Sequence, residues 1–257
     1  MSDRSLGPPI IGRKTWVSLA AVALLTAASA AATEVGEQQR EVNEVLHLTP
    51  NPVRGEEIFR YCAGCHTASS NGLPEGWVPN ISGQHPRYLA KQLIDYRNSV
   101  RWDARMEPVA KGHGLRGSQD VADVVAFLAA QPAEWSVPEG RPRGATEDDR
   151  FYRSRCSSCH GLNGAGNNAR SIPRIAGQDF AYVLRQLHDV VDGRRANMRK
   201  QHLRALEDLD VLQLVSLSRY VSHLGEGEGE VSTPELTGFN VRSSALRDLR
   251  PPSVGTP

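Results

Sequence analysis

Residues 62–66 read CAGCH and residues 156–160 read CSSCH, and these two stretches decide the fold of the 257-residue chain. In each stretch, two cysteines separated by two residues precede a histidine, the pattern of covalent haem c attachment. A four-cysteine zinc site or a pair of disulfides is the alternative. Zinc would not need the histidines, and the cysteine pairs lie 94 residues apart, whereas zinc ribbons separate theirs by about 15 to 20 residues. The motifs therefore predict two covalently bound haem c groups.

Each motif can supply two covalent attachments and one iron ligand. On a helix, residues three and four positions apart share a face, so Cys62, Cys65 and His66 can approach one side of a flat ring. The sulfurs would form thioethers with the haem vinyl groups, and the imidazole would bind the iron. In the second motif the same roles fall to Cys156, Cys159 and His160.

A proline follows each haem histidine at a distance of 13 residues, Pro79 in the first half of the chain and Pro173 in the second. A histidine ligand works best when an acceptor holds its other ring nitrogen, and the two proline carbonyls are candidates for that role. A pair of rigid turns is the alternative interpretation, and both can be true together.

The offset of 94 residues between the motifs continues along the chain, so a whole unit is duplicated. After Arg101 the register slips by two residues, and Met106 then matches Met198. The residues that match at the constant offset are Pro79 and Pro173, Ile81 and Ile175, Gly83 and Gly177, Gln84 and Gln178, Tyr88 and Tyr182, Gln92 and Gln186, and Arg101 and Arg195.

Two methionines are candidates for the opposite side of the iron. Met106 lies 40 residues after the first haem histidine and Met198 lies 38 residues after the second. Methionine usually fills hydrophobic cores, but these two stand among polar neighbours, RMEP and NMRK. We therefore expect both thioethers to bind iron. His113 and His202 are the substitutes if methionine is not used, and ordinary exposed histidine is the alternative interpretation for both.

The hydrophobic pattern is helical throughout. Val121, Val124 and Leu128 share one face of a segment that begins at Ser118, and the segment from Leu206 to Leu224 has a similar face. No alternating strand pattern appears. The predicted fold is all-α, with two tandem cytochrome c domains that each wrap around one covalent haem. The predicted boundaries are 1–32 for a signal peptide, 33–131 for the first domain, 132–146 for a linker, 147–225 for the second domain and 226–257 for a flexible tail.

Residues 1–32 have the features of an export signal. Three basic residues precede a short apolar run from Trp16 to Ala28, and small residues up to Ala32 offer cleavage sites. An uncleaved membrane anchor is the alternative, because the 17 residues from Trp16 to Ala32 lie at the lower end of the range for a membrane span. We expect a periplasmic protein, associated with the membrane if the amino terminus is retained.

The composition is that of an ordinary globular protein. It is 39% hydrophobic and 23% charged, with a formal net charge of +1. Without an excess of basic residues, nothing favours a nucleic-acid partner. Because the two motifs predict haem, redox proteins are the expected partners.

The paired motifs, the segments PNISGQ (79–84) and PRIAGQ (173–178), the following YLAKQL and YVLRQL, and the two late methionines resemble the dihaem cytochrome c4 family. The resemblance implies two class I cytochrome c folds joined by a linker, His/Met ligation at both irons, and electron delivery to terminal oxidases or other periplasmic partners. Two features depart from the family. Thr67 follows the first haem histidine, where the second half has the commoner glycine, Gly161, and a long tail follows Leu224.

These observations favour an electron carrier over an enzyme, because two axial ligands leave no open position on either iron. One alternative is the cytochrome subunit of a membrane dehydrogenase or oxidase complex. Another is a dihaem redox enzyme such as a peroxidase, which would need an open or replaceable position that two equivalent methionines argue against.

Overall fold

The computed structural model describes residues 36–67, 69–70, 72, 77–112, 114–132 and 146–225. The chain divides into two units, Met1–Arg40 and Glu41–Pro257, and both haem motifs lie in the second. The predicted signal peptide, the central part of the predicted linker and the predicted tail lie outside the described residues.

The described part of the chain is helical, which confirms the all-α prediction. Apart from one isolated antiparallel bridge between Asn167 and Ile172, it contains no β-structure. The helices are α1 (36–47), α2 (Pro52–His66), α3 (Pro86–Arg97), α4 (Met106–Lys111), α5 (Ser118–Ala130), α6 (Glu147–Arg155), α7 (Ser157–His160), α8 (Phe180–Val191), α9 (Lys200–Leu206) and α10 (Val211–Ser222).

The buried apolar side chains form two separate cores, one in each half of the duplicated sequence. Residues of α1, α2, α3 and α5 contribute to the first core, and residues of α6, α8, α9 and α10 contribute to the second. Each half therefore has its own hydrophobic centre, as two tandem cytochrome c domains require.

In each half, the helix that leads into the haem motif packs against the last helix. Phe59 of α2 meets Phe127 of α5 with ring centroids 5.3 Å apart, and Tyr152 of α6 meets Tyr220 of α10 at 5.4 Å. The closest approach of α2 to α5 is at Gly55, where an added Cβ would lie 2.1 Å from the carbonyl oxygen of Asp123. Glycine at position 55 is thus required for this helix crossing.

Buried carboxylates hold the start of α2 against α5. Arg54 binds both Asp120 and Asp123, and the carboxylate of Asp123 also accepts the backbone N–H of Asn51 at 2.8 Å. Burial alone would raise the pKa of Asp120, but the backbone N–H of Arg116 and the guanidinium of Arg54 hold it below its usual range. Both buried carboxylates are therefore paired, and loss of Arg54 would leave uncompensated charges at this helix crossing.

Replacing Gly55 with alanine is expected to lower the free energy of unfolding by about 3 kcal/mol, because the new methyl group cannot fit between the two backbones. Gly64, in the same helix, is the matched control, since no atom lies within 4 Å of a Cβ added there. Gly64→Ala should leave stability unchanged or raise it by up to about 1 kcal/mol through better helix propensity. Denaturant titration followed by circular dichroism measures both, and equal stability of the two variants would contradict the packing described.

The two halves meet through reciprocal hydrogen bonds. Gln84 donates to the carbonyl of Arg174 at 2.8 Å and accepts its N–H at 2.9 Å. Gln178 makes the same pair of bonds with Asn80, at 2.9 and 3.0 Å. Because each of these residues matches its counterpart at the repeat offset of 94, the interface has approximate twofold symmetry.

A second reciprocal set involves the repeated arginines. Arg101 donates to Tyr182 at 3.0 Å and to Gln186 at 2.6 Å. Arg195 donates to Tyr88 at 3.0 Å, and its contact with Gln92 is longer, at 3.4 Å. The Tyr, Gln and Arg positions repeated in the sequence thus form the contact between the two halves.

Candidate haem sites

The first haem motif ends α2 and presents a fixed histidine. His66 is 6% exposed, and its Nδ1 donates to the carbonyl of Pro79 at 3.1 Å. That bond places the ring proton on Nδ1 and leaves Nε2 free to bind a metal. Cys62 and Cys65, in the same helix, are partly buried and form no disulfide.

The second motif repeats this arrangement in a broken helix. The chain bends at Cys156, between α6 and α7, whereas α2 runs unbroken through its motif. His160 is 5% exposed, and its Nδ1 donates to the carbonyl of Pro173 at 3.1 Å. The prediction that proline carbonyls hold both haem histidines is confirmed.

Two glycines that the sequence argument overlooked close the loop between each histidine and its proline. The N–H groups of Gly72 and Gly166 donate to the carbonyls of His66 and His160 at 3.1 and 2.8 Å. Both glycines have positive φ, and a Cβ at Gly166 would lie 2.4 Å from the carbonyl oxygen of Pro173. Their separation of 94 residues is the signal that could have identified them.

Burial keeps both haem histidines neutral. The pKa of His66 falls to about 4, chiefly because burial disfavours the charged ring, although the Pro79 carbonyl acts in the opposite direction. Burial lowers the pKa of His160 for the same reason. A neutral imidazole is the form that binds iron.

Burial also keeps one thiol of each motif protonated. It raises the pKa of Cys62 to about 12 and that of Cys156 to about 11. An uncharged thioether is therefore compatible with the burial of these positions. Within the described residues, no group of three or more His, Cys, Asp or Glu side chains is placed to hold a metal ion.

The two predicted methionine ligands lie in different surroundings. Met106 is the first residue of α4 and its N–H donates to Asp103 at 3.2 Å. The charges of Arg105 and Asp103 act on the pKa of His66, so this turn lies close to the first haem histidine. Met198 lies before α9 and packs against the second core.

Another side chain faces the second haem histidine. The ring of His202, on α9, lies 5.8 Å from the ring of His160, centroid to centroid. Burial and the neighbouring His160 lower the pKa of His202 to about 4, so this ring is also neutral. His113, the corresponding substitute in the first half, lies outside the described residues.

Two arginine guanidinium groups are placed where they could bind the propionate groups of a haem. Arg101 is 6% exposed, and the side chains that it hydrogen-bonds, Gln92, Gln186 and Tyr182, are all uncharged. Nε of Arg185 is buried without a hydrogen-bond partner in the described part of the chain, although Nη1 of the same group lies 3.4 Å from Asp103. A buried cation such as Arg101 needs an anion nearby, and haem propionates would supply one and could also accept from Nε of Arg185. The residues present therefore fit a haem c group in each half.

Comparison with known proteins agrees with this geometry. The family described as cytochrome c matches residues 52–131, and the family described as cytochrome C oxidase, cbb3-type, subunit III matches residues 144–217. Cytochrome c4 of Thiocapsa roseopersicina is 30% identical over 175 residues, which cover 64% of this chain and 88% of the relative. The chain belongs to the dihaem cytochrome c4 family. It is an electron-transfer cytochrome and carries two covalently attached haem c groups.

A solved structure and a further relative show the same similarity. The reduced recombinant cytochrome c4 of Pseudomonas stutzeri aligns with a TM-score of 0.61 and 26% identity, covering 69% of this chain and all of that one. The thiosulfate dehydrogenase electron acceptor of Stutzerimonas stutzeri is 31% identical over 180 residues, 65% of this chain and 80% of the relative. Within the described residues of the cytochrome, no helix has the length and apolar character needed to cross a membrane.

The residue after each haem histidine has a backbone conformation that favours glycine. Thr67 has φ 60° and ψ 163°, and Gly161 has φ 78° and ψ 163°. A β-branched residue is strained there, by about 1–3 kcal/mol. The unusual threonine noted in the sequence therefore weakens the first half locally.

Thr67→Gly is expected to raise the free energy of unfolding of the first half by about 1–2 kcal/mol, because it removes this strain. The reverse change in the other half, Gly161→Thr, should lower stability by a similar amount. Thermal unfolding of the haem-loaded variants, followed by circular dichroism, measures both effects. Changes of the same sign in the two variants would contradict the strain argument.

Proposed function

We propose that the protein is an exported, periplasmic electron carrier and not an enzyme. It takes electrons from a dehydrogenase or respiratory-chain donor and delivers them to a terminal oxidase or another acceptor. The observation that carries this proposal is the fixed, neutral histidine in each half. The turn that contains Met106 lies close to His66, and the ring of His202 lies close to His160. An iron held between two protein ligands exchanges electrons without opening for a substrate.

The same geometry supports the ligand assignments. Cys62 and Cys65 would hold the first haem covalently, and His66 and Met106 would bind its iron. For the distal position of the second iron, Met198 stays the sequence-based prediction. The groups assigned to the second haem are Cys156, Cys159 and His160.

The bound haem supplies a reversible one-electron change at its iron. The protein determines how easily that change occurs. The Pro79 and Pro173 carbonyls fix the histidine rings, so little reorganisation accompanies electron transfer. A methionine sulfur at Met106 favours the reduced form and raises the potential of the first haem.

A dehydrogenase is the donor that the relatives favour. Two related proteins are described as thiosulfate dehydrogenase electron acceptors, from Stutzerimonas stutzeri and Thiomonas intermedia. A third, from Chlorobaculum tepidum, is described as the cytochrome subunit of sulfide dehydrogenase, and is 38% identical over 60 residues. Oxidation of a reduced sulfur compound is therefore a source of electrons to test first.

The second candidate function is that of a cytochrome subunit bound permanently in a dehydrogenase complex. The thiosulfate dehydrogenase structure of Marichromatium purpuratum aligns with a TM-score of 0.56 and 26% identity, covering 68% of this chain and 40% of that one. A retained amino terminus and recovery from the membrane fraction together with a dehydrogenase would favour this candidate over a free carrier. A mature chain that begins near residue 33 in the periplasmic fraction would favour the carrier.

Coulometric titration combined with a turnover assay tests the carrier function. The haem-loaded protein should take up two electrons per molecule. It should not consume thiosulfate or hydrogen peroxide beyond that stoichiometry. The variant with both Cys156 and Cys159 replaced by alanine should lose one covalent haem and half of the electron uptake. Sustained turnover of either compound by the purified protein would show an enzyme instead.

A further inference from the structure

In the carboxy-terminal half, the distance between the rings of His160 and His202 fits two imidazoles bound to one metal. Metal–nitrogen bonds to imidazole are about 2 Å long, so two imidazoles on opposite sides of one metal have ring centroids about 6 Å apart. The rings of His160 and His202 are 5.8 Å apart. Their planes are inclined by 66°, which such a pair tolerates because each ring can rotate about its own bond to the metal.

The ring of His202 is available for a metal. The Nδ1 of His160 is engaged with Pro173, so the nitrogen left for iron is Nε2. The backbone N–H of His202 is used within its helix turn. In the part of the chain that the structure describes, the two nitrogens of its ring have no hydrogen-bond partner. The described part of the chain therefore leaves both ring nitrogens of His202 open to a metal.

The position of His202 in its helix resembles that of Met106 more closely than does the position of Met198. Met106 begins α4 and lies five residues before its end, at Lys111. His202 lies within α9, four residues before its end at Leu206. Met198 precedes Arg199, the residue that caps α9, and is therefore outside the helix.

The surroundings of Met198 provide another role for it. Its side chain packs against the second core, a common use of methionine. The neighbouring Asn197 donates to Asp95 of the first half at 2.7 Å and to Gln92 at 3.1 Å. This turn is thus held by the interface and the core, while the helix after it carries the ring that faces His160.

We propose that His202, and not Met198, is the distal ligand of the second iron, so that the two haems differ in ligation, His/Met in the first half and His/His in the second. The proposal rests on the carrier function above. Imidazole donates more strongly to ferric iron than a thioether does, so the second haem has the lower potential. An electron then passes downhill from the ferrous second haem to the ferric first haem, and an external donor reduces the second half.

Spectroscopy of the haem-loaded ferric protein tests this assignment directly. A methionine sulfur bound to ferric haem gives a charge-transfer absorption that two imidazoles do not give. The native protein should show this absorption for one haem of the two, and potentiometry should assign it to the haem of higher potential. His202→Met should double its intensity and bring the two potentials closer together.

Two variants control for the effect of the substitutions themselves. Leu203→Met places a thioether one position along the same helix, on a side chain that is 41% exposed, and should change neither spectrum nor potentials. Met198→Leu keeps an apolar side chain against the core and should leave the second haem unchanged. Loss of a methionine absorption in Met198→Leu would overturn the assignment of His202.

Carbon monoxide binding by two variants tests the ligand assignment independently of the carrier function. His202→Ala should open the second iron, so that the reduced variant binds carbon monoxide at one haem, while Met198→Leu should stay unreactive. If Met198→Leu opened the iron and His202→Ala did not, the ligand assignment would be wrong and the carrier function intact. Multiple turnover of a substrate by the native protein would instead refute the carrier function.

Discussion

The hydrogen bond from a haem histidine to a proline carbonyl, made once in each half, is the constraint on which the rest of the structure depends. It joins the end of the motif helix to a loop 13 residues later and leaves one ring nitrogen for iron. The loop can return to the histidine only because glycine stands at positions 72 and 166, where the backbone approaches closely. In each half, the orientation of the histidine ligand therefore depends on the conformation of the loop that carries the proline.

The loop that carries each proline also contacts the interface between the two halves. Asn80 and Arg174 directly follow the two prolines, and their backbone groups bind Gln178 and Gln84 of the opposite half. A glutamine side chain thus connects each half to the residue next to the acceptor of the other half's histidine. The duplicated sequence explains why this connection is symmetric, whereas the proposed distal ligands, Met106 in one half and His202 in the other, are not.

Much of this could be predicted from the sequence, because covalent haem attachment requires a short contiguous motif and the duplication repeats it. The helices followed from hydrophobic periodicity, the two domains from the duplication, and the proline acceptors from their spacing after the haem histidines. The interface roles of Gln84, Tyr88 and Arg101 could not be predicted, since a repeated residue does not reveal that it contacts the other copy. The distal residue of the second half was ambiguous because the repeat slips by two residues after Arg101, and only the fold shows which side chain faces His160.

The central proposal is that side chains of this chain occupy both axial positions of each iron, so that the protein moves electrons without transforming a substrate. Mixing the fully reduced, unmodified protein with carbon monoxide tests it most directly, because carbon monoxide binds only where a ferrous iron has an open or easily displaced ligand. We predict that the absorption spectra of both haems stay unchanged on mixing. A rapid spectral shift at either haem would contradict the account, because that iron would then be accessible to a substrate.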